Sequence, residues 1–169
     1  MKKIIFIVLF LLITVGTSGN ASANQSNTPR PFEEIYLEIG YQSVETAIKA
    51  FEHHFKQDVK LPLRQPPVAF THQFGRFSNL EGNINDSFEV KYINDRILEN
   101  HYKIDIRPLK NKLVFKDRGN QKVYKLQNGQ KAIYMVDRLF NFFVFEKDNW
   151  QYMLGMDKRL ANAVPPDVS

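Results

Sequence analysis

Residues 87–107 read SFEVKYINDRILENHYKIDIR, and this stretch decides the fold. Phe88, Val90 and Tyr92 alternate with Glu89 and Lys91, and Tyr102, Ile104 and Ile106 alternate with Lys103, Asp105 and Arg107. A side-chain period of two means a strand with one buried and one wet face, which antiparallel sheets accommodate. The same signature, rich in aromatic and β-branched residues and bounded by Asn, Asp and Gly, recurs at 70–77, 121–126, 130–136, 140–146 and 150–156. Asn128-Gly129 is the strongest short-range hairpin signal, and Lys147-Asp148-Asn149 ahead of Trp150 marks a second tight return. The second half of the chain therefore reads as a meander of adjacent antiparallel strands.

Upstream the period changes to that of a helix. Val44, Ala47, Ile48, Phe51 and Phe55 form one apolar stripe, Ser43 is placed to cap it, and Glu45 sits in the first turn where the helix dipole favours an acid. A shorter helical turn is expected over 32–39, ending near Gly40. Pro62, Pro66 and Pro67 exclude both helix and central strand, so 61–68 should cross the surface in extended form. The expected fold is α+β: a curved antiparallel sheet of six to seven strands with one main helix across one face.

The first 23 residues stand apart. Lys2 and Lys3 precede an unbroken apolar run from Ile4 to Ile13, and Ala21-Ser22-Ala23 follows as an A-x-A site. These are the three parts of a secretory signal peptide, with cleavage expected after Ala23; the alternative is an N-terminal membrane anchor, for which ten apolar residues are short of the roughly 20 a span needs. Residues 24–31 read as a disordered lead-in, and 32–169 as a single domain. The ending PPDVS resembles the loop and cap that introduce a helix, so a C-terminal helix is expected to be lacking.

Composition narrows the chemistry. The chain of 169 residues has no cysteine, which excludes disulfides, thiolate metal sites and a Cys nucleophile. Net charge is +5, of which the two leader lysines supply +2. Residues 103–131 hold nine basic and two acidic residues, a local +7 that includes Lys110, Lys112, Lys116, Arg118, Lys122 and Lys125. In an exported protein the natural partner for such a surface is an anionic envelope polymer, a membrane surface or a partner protein; no nucleic acid is expected. The plain alternative is a solvated strand face, since Lys commonly lines exposed strands.

Taken together, several segments resemble the domain of unknown function 4367 family, found in exported and anti-sigma-factor-associated proteins of Gram-positive bacteria. They are Leu61-Pro62 with Pro66-Pro67, 86–92 (DSFEVKY), 101–108 (HYKIDIRP), 126–132 (LQNGQKA) and 145–152 (FEKDNWQY). The resemblance implies an extracytoplasmic location and the same α+β fold, and it implies a further helix beyond Ser169. It carries over no catalytic residue.

No chemical motif stands out. There is no H-E-x-x-H, no G-x-S-x-G, no G-x-G-x-x-G and no P-loop. His53 and His54 are adjacent on a helix and point about 100° apart, so they cannot share a metal; His53 should be solvated and His54 a boundary residue. His101 starts one strand and His72 sits within another, and the two could meet across a sheet with Glu99 or Asp86, which is the residual case for a hydrolase. The acid pairs Asp86/Glu89 and Glu146/Asp148 lie where strands meet turns, where solvated carboxylates are the rule. The expectation is a non-enzymatic binding or sensory accessory module without metal or cofactor. A second reading uses the aromatic load of the last hairpin: Phe140, Phe142, Phe143, Trp150 and Tyr152 could line an apolar groove for a carried or sensed ligand.

Overall fold

The structure, a computed structural model, describes residues 29–79 and 85–163. The leader, residues 24–28 of the lead-in and the final six residues lie outside the described residues. Among the described residues no helix is long and apolar enough to cross a membrane.

Seven strands form one open antiparallel sheet: β1 (His72–Ser78), β2 (Ser87–Ile93), β3 (His101–Pro108), β4 (Gln121–Lys125), β5 (Lys131–Val136), β6 (Phe140–Lys147) and β7 (Trp150–Asp157). Each lies within two residues of its expected position. Their spatial order is β1-β2-β3-β7-β6-β5-β4. The sheet is thus two meanders: β1 to β3 in one direction, and β4 back to β7, with β7 closing against β3. Residues 109–120 carry the chain from the sheet's middle to its far edge.

Short returns fix the register. Asp148 and Asn149 between β6 and β7 both have positive φ, 51° and 65°, the backbone of a primed hairpin turn that matches strand twist. Gly129, with φ of 82°, turns β4 into β5, and Asn128 Oδ1 accepts the Gln130 N–H at 3.0 Å.

The two main helices lie on opposite faces of the sheet. Helix α1 (Phe32–Glu38) and Tyr41 pack on Phe74 and Ile93, while α2 (Val44–Phe55) packs on the other face. Between them Gln42 exchanges two backbone hydrogen bonds with Gly75, each 2.8 Å, so the chain wraps around the β1 edge and pairs with it. Gly75 is required there: a Cβ would stand 2.8 Å from Val44 Cα and 2.9 Å from Ala47 Cβ.

Under α2 lies the core: Ala47 and Phe51 meet Phe88, Val90, Ile104, Ile106, Trp150 and Tyr152. Ser43 caps α2 as expected, its hydroxyl accepting the Thr46 N–H at 3.1 Å. The Pro-rich segment then crosses this face without regular structure, tied by Trp150 Nε1 donating to the Asp58 carbonyl and by Asn94 and Asn100 side chains donating to the Ala69 carbonyl. A third helix, α3 (Lys158–Ala163), follows β7 directly and has Leu160 and Ala161 buried; sequence periodicity did not mark it, being too short to show a stripe.

Candidate functional site

The face opposite α2 is divided into three zones. At β1 and β2 it is covered by α1. Across β2 and β3 runs a strip of charge, because the wet-face residues Glu89, Lys91, Lys103 and Asp105 all point there. Over β7, β6 and β5 a strap, residues 112–120, crosses the sheet on its way to β4.

The charged strip is internally satisfied in an uneven way. Glu89 receives the Tyr41 hydroxyl and faces Lys91 at 3.2 Å and Arg76 at 3.5 Å. Burial pushes its carboxyl up, but those three donors outweigh burial and hold it below the usual range. Asp105, directly opposite on β3, goes the other way: burial raises it, with Lys103 opposing and Glu89 adding to the rise, and its Oδ2 accepts no hydrogen bond.

The strap has a specific anchor. Gln151 on β7 grips Leu113 from both ends, its Oε1 accepting the Leu113 N–H at 2.8 Å and its Nε2 donating to the Leu113 carbonyl at 2.9 Å. A second tie is Gln121 Nε2 to the Lys116 carbonyl at 3.0 Å. Alternation along the strap turns Leu113 and Phe115 toward the sheet and leaves Val114 83% exposed.

An open crevice lies along either side of the strap. The first, about 510 Å³, has Val123, Ile133 and Val144 as its floor and Lys112 and Lys131 at its rim. The second, about 590 Å³, has Met135, Phe142 and Met153 as its floor and Lys116 and Arg118 at its rim. Leu113, Val114 and Phe115 wall both. Lys112 is engaged by Glu146 at 2.9 Å, whereas neither Lys116 nor Arg118 has an ion-pair partner among the described residues.

The six cations singled out from the sequence therefore separate. Lys112, Lys116 and Arg118 ring the crevices, joined by Lys131. Lys125 stands directly opposite Lys131 on the edge strand. Lys122 points to the other face with Tyr134, and Lys110 lies 5.6 Å above the Phe55 ring at the far end of α2. The apolar set also separates. Phe142 floors the second crevice, and Phe140 packs edge-on against His101. Phe143 faces the α2 side beside Tyr124. Trp150 and Tyr152 are 1% and 2% exposed and belong to the core under α2 and the Pro-rich segment, so they line no groove. Alternation puts Trp150 and Tyr152 on one face of β7, and the pairing of β7 with β3, outside its own meander, places that face under α2.

His72 and His101 are not brought together. Both are in register with Ile93, one on each side, which puts them two strand spacings, about 10 Å, apart with a buried isoleucine between. His72 is tied to Glu33 of α1 at 3.3 Å and to Thr71. Burial, then the nearby Lys91 and Lys103, holds His101 below the ordinary imidazole value. His53 is exposed, while His54 reaches 3.2 Å to Asp86, whose carboxylate is fully buried. That pairing links α2 to the start of β2 and left no trace in the sequence spacing. Glu146 pairs with Lys112 and Asp148 occupies the β6–β7 turn, so neither acid pair forms a shared site. Among the described residues no three His, Asp or Glu side chains converge as a metal site.

Compared with protein-family models, curated proteins and solved structures, the chain matches none.

Proposed function

We propose that the chain is a non-enzymatic binding or sensory module of the extracytoplasmic cell envelope, engaging an anionic partner through the cations that rim the strap crevices. One observation carries this reading: Lys112 and Lys131 line one crevice and Lys116 and Arg118 the other, both walled by the same strap, against Glu146 and Asp137 as the lining acids. Lysines dispersed only to solvate strands have no reason to gather along the two crevices of one strap. The leader-like residues 1–23 support the location outside the cytoplasmic membrane. The hydrolase alternative needs His72 and His101 within reach of one substrate atom, and Ile93 stands between them.

The mature protein should sediment with vesicles containing anionic lipid, or with cell-wall polymer, at low ionic strength, and release as salt rises through the range where the Debye length falls below about 10 Å. Lys112→Glu, Lys116→Glu and Arg118→Glu together should abolish retention, while Lys122→Glu, on the opposite face, should leave most of it. Equal retention of the triple variant would remove the reading.

A further inference from the structure

We infer that the second crevice holds a single-chain anionic amphiphile, a fatty-acyl chain lying on Met135, Phe142 and Met153 with its carboxylate or phosphate head at Lys116 and Arg118. The inference rests on the binding reading above and names the ligand class of that site.

Three features of this crevice distinguish it from a merely basic surface. Beside Asn120, Gln121 and Asp137 its lining includes Phe142 and two methionines, the side chains best able to reshape around a flexible chain. At about 590 Å³ it falls within the range of small-molecule sites. Its cations are uncommitted: Lys116 uses its carbonyl to accept Gln121 Nε2, and no carboxylate closes on either side-chain head. The crevice therefore sets two cations against one lining acid, Asp137, whose Oδ1 accepts the Arg138 N–H at 2.7 Å. The first crevice lacks this pattern, since Lys112 is neutralised by Glu146.

A polymer of sugars and phosphates would satisfy the cations and leave the apolar floor unused. A bilayer surface would present heads to the rim but would need its tails to leave the membrane to reach the floor. A monomeric amphiphile satisfies both halves at once, with Leu113, Val114 and Phe115 of the strap as the wall beside the chain.

The test is calorimetric titration of the mature protein with octanoate, decanoate and laurate below their micelle concentrations, with dodecanol as the uncharged control and inorganic phosphate as the headgroup control. Affinity should rise two- to fourfold per methylene, and dodecanol should bind at least tenfold more weakly than laurate. Val114→Asp, at an 83% exposed position that folding tolerates, should weaken laurate at least tenfold, with the fluorescence of the single Trp150 unchanged as proof of an intact core. Lys116→Glu with Arg118→Glu should remove the laurate preference over dodecanol. Binding to anionic vesicles or phosphate with no chain-length dependence would overturn this inference and leave the envelope-binding reading standing. Equal affinity for laurate and dodecanol would overturn the headgroup assignment, and no binding to any anion would overturn both.

Discussion

Lys91 and Lys103 stand directly opposite each other on β2 and β3, yet their ammonium groups diverge. Lys91 Nζ lies 4.8 Å from the Tyr41 ring and Lys103 Nζ 5.3 Å from the Phe142 ring, each on the far side of its own strand. Like charges facing across a sheet are destabilising, and cation–π contacts of roughly 0.5–2 kcal/mol each give both lysines a reason to part. Gly155 makes room for one of them: Lys103 lies flat across β7 because no Cβ stands there. The strip of charge thereby connects the α1 patch to the floor of the strap crevice.

Gly155→Ala should therefore be destabilising despite lying in a strand, where alanine is ordinarily harmless. The new Cβ would meet Lys103 Cγ and Phe142 Cε1 at 2.9 Å, and overpacking costs about 1–3 kcal/mol. Gly75→Ala should cost more, because its Cβ meets the Val44 backbone, which cannot rotate away as a lysine can. Urea unfolding followed by Trp150 fluorescence ranks the two; an equal midpoint for Gly155→Ala and the parent chain would contradict the close approach.

Gln151→Ala should free the strap without unfolding the sheet. It leaves the Leu113 N–H and carbonyl without their side-chain partner, at about 1–3 kcal/mol for buried polar groups. Amide exchange at Leu113 should accelerate and protease cleavage should appear within 112–120, while exchange in β3 stays slow. Unchanged exchange at Leu113 would mean the strap is held elsewhere.

The Glu89–Asp105 pair predicts opposite responses to acid. Glu89 has a folded value below its unfolded one, so it contributes stability above the unfolded value that is lost as pH falls through the folded one. Asp105 has a raised folded value, so the native state binds its proton more readily, and its contribution is present at low pH and lost as pH rises through the folded value. Glu89→Gln should accordingly lose stability near neutral pH with the deficit shrinking in acid, and Asp105→Asn should gain near neutral pH with the gain vanishing in acid. Parallel pH profiles of denaturant midpoints for both variants would refute the assignment.

Phe51→Ala should be the most damaging core substitution on α2. Phe51 is fully buried and its ring meets Phe55, Phe77, Phe88 and Trp150 at centroid distances of 4.8–5.7 Å. A loss of about 3–5 kcal/mol is expected, read from the thermal or urea midpoint. A loss under about 1 kcal/mol would mean that α2 contributes little to holding the sheet.

What the sequence by itself determined is what local periodicity encodes. The stripe and cap of α2, the alternation of β2 and β3, and the aromatic and β-branched runs of the other strands are short-range patterns, and each of these elements lies where its pattern placed it. The Asp148-Asn149 return was equally legible because its chemistry is local. Only the tertiary structure decided which strands are neighbours: the pairing of β3 with β7 spans about fifty residues, and no alternation pattern carries a partner's identity. That one pairing sends Trp150 and Tyr152 into the core, forces residues 109–120 to cross the sheet, and brings Lys116 and Arg118 of the basic segment over Phe142 of the aromatic hairpin. Lys116 and Arg118 on one side and Phe142 on the other, far apart along the chain, line one crevice because strand pairing is a long-range event.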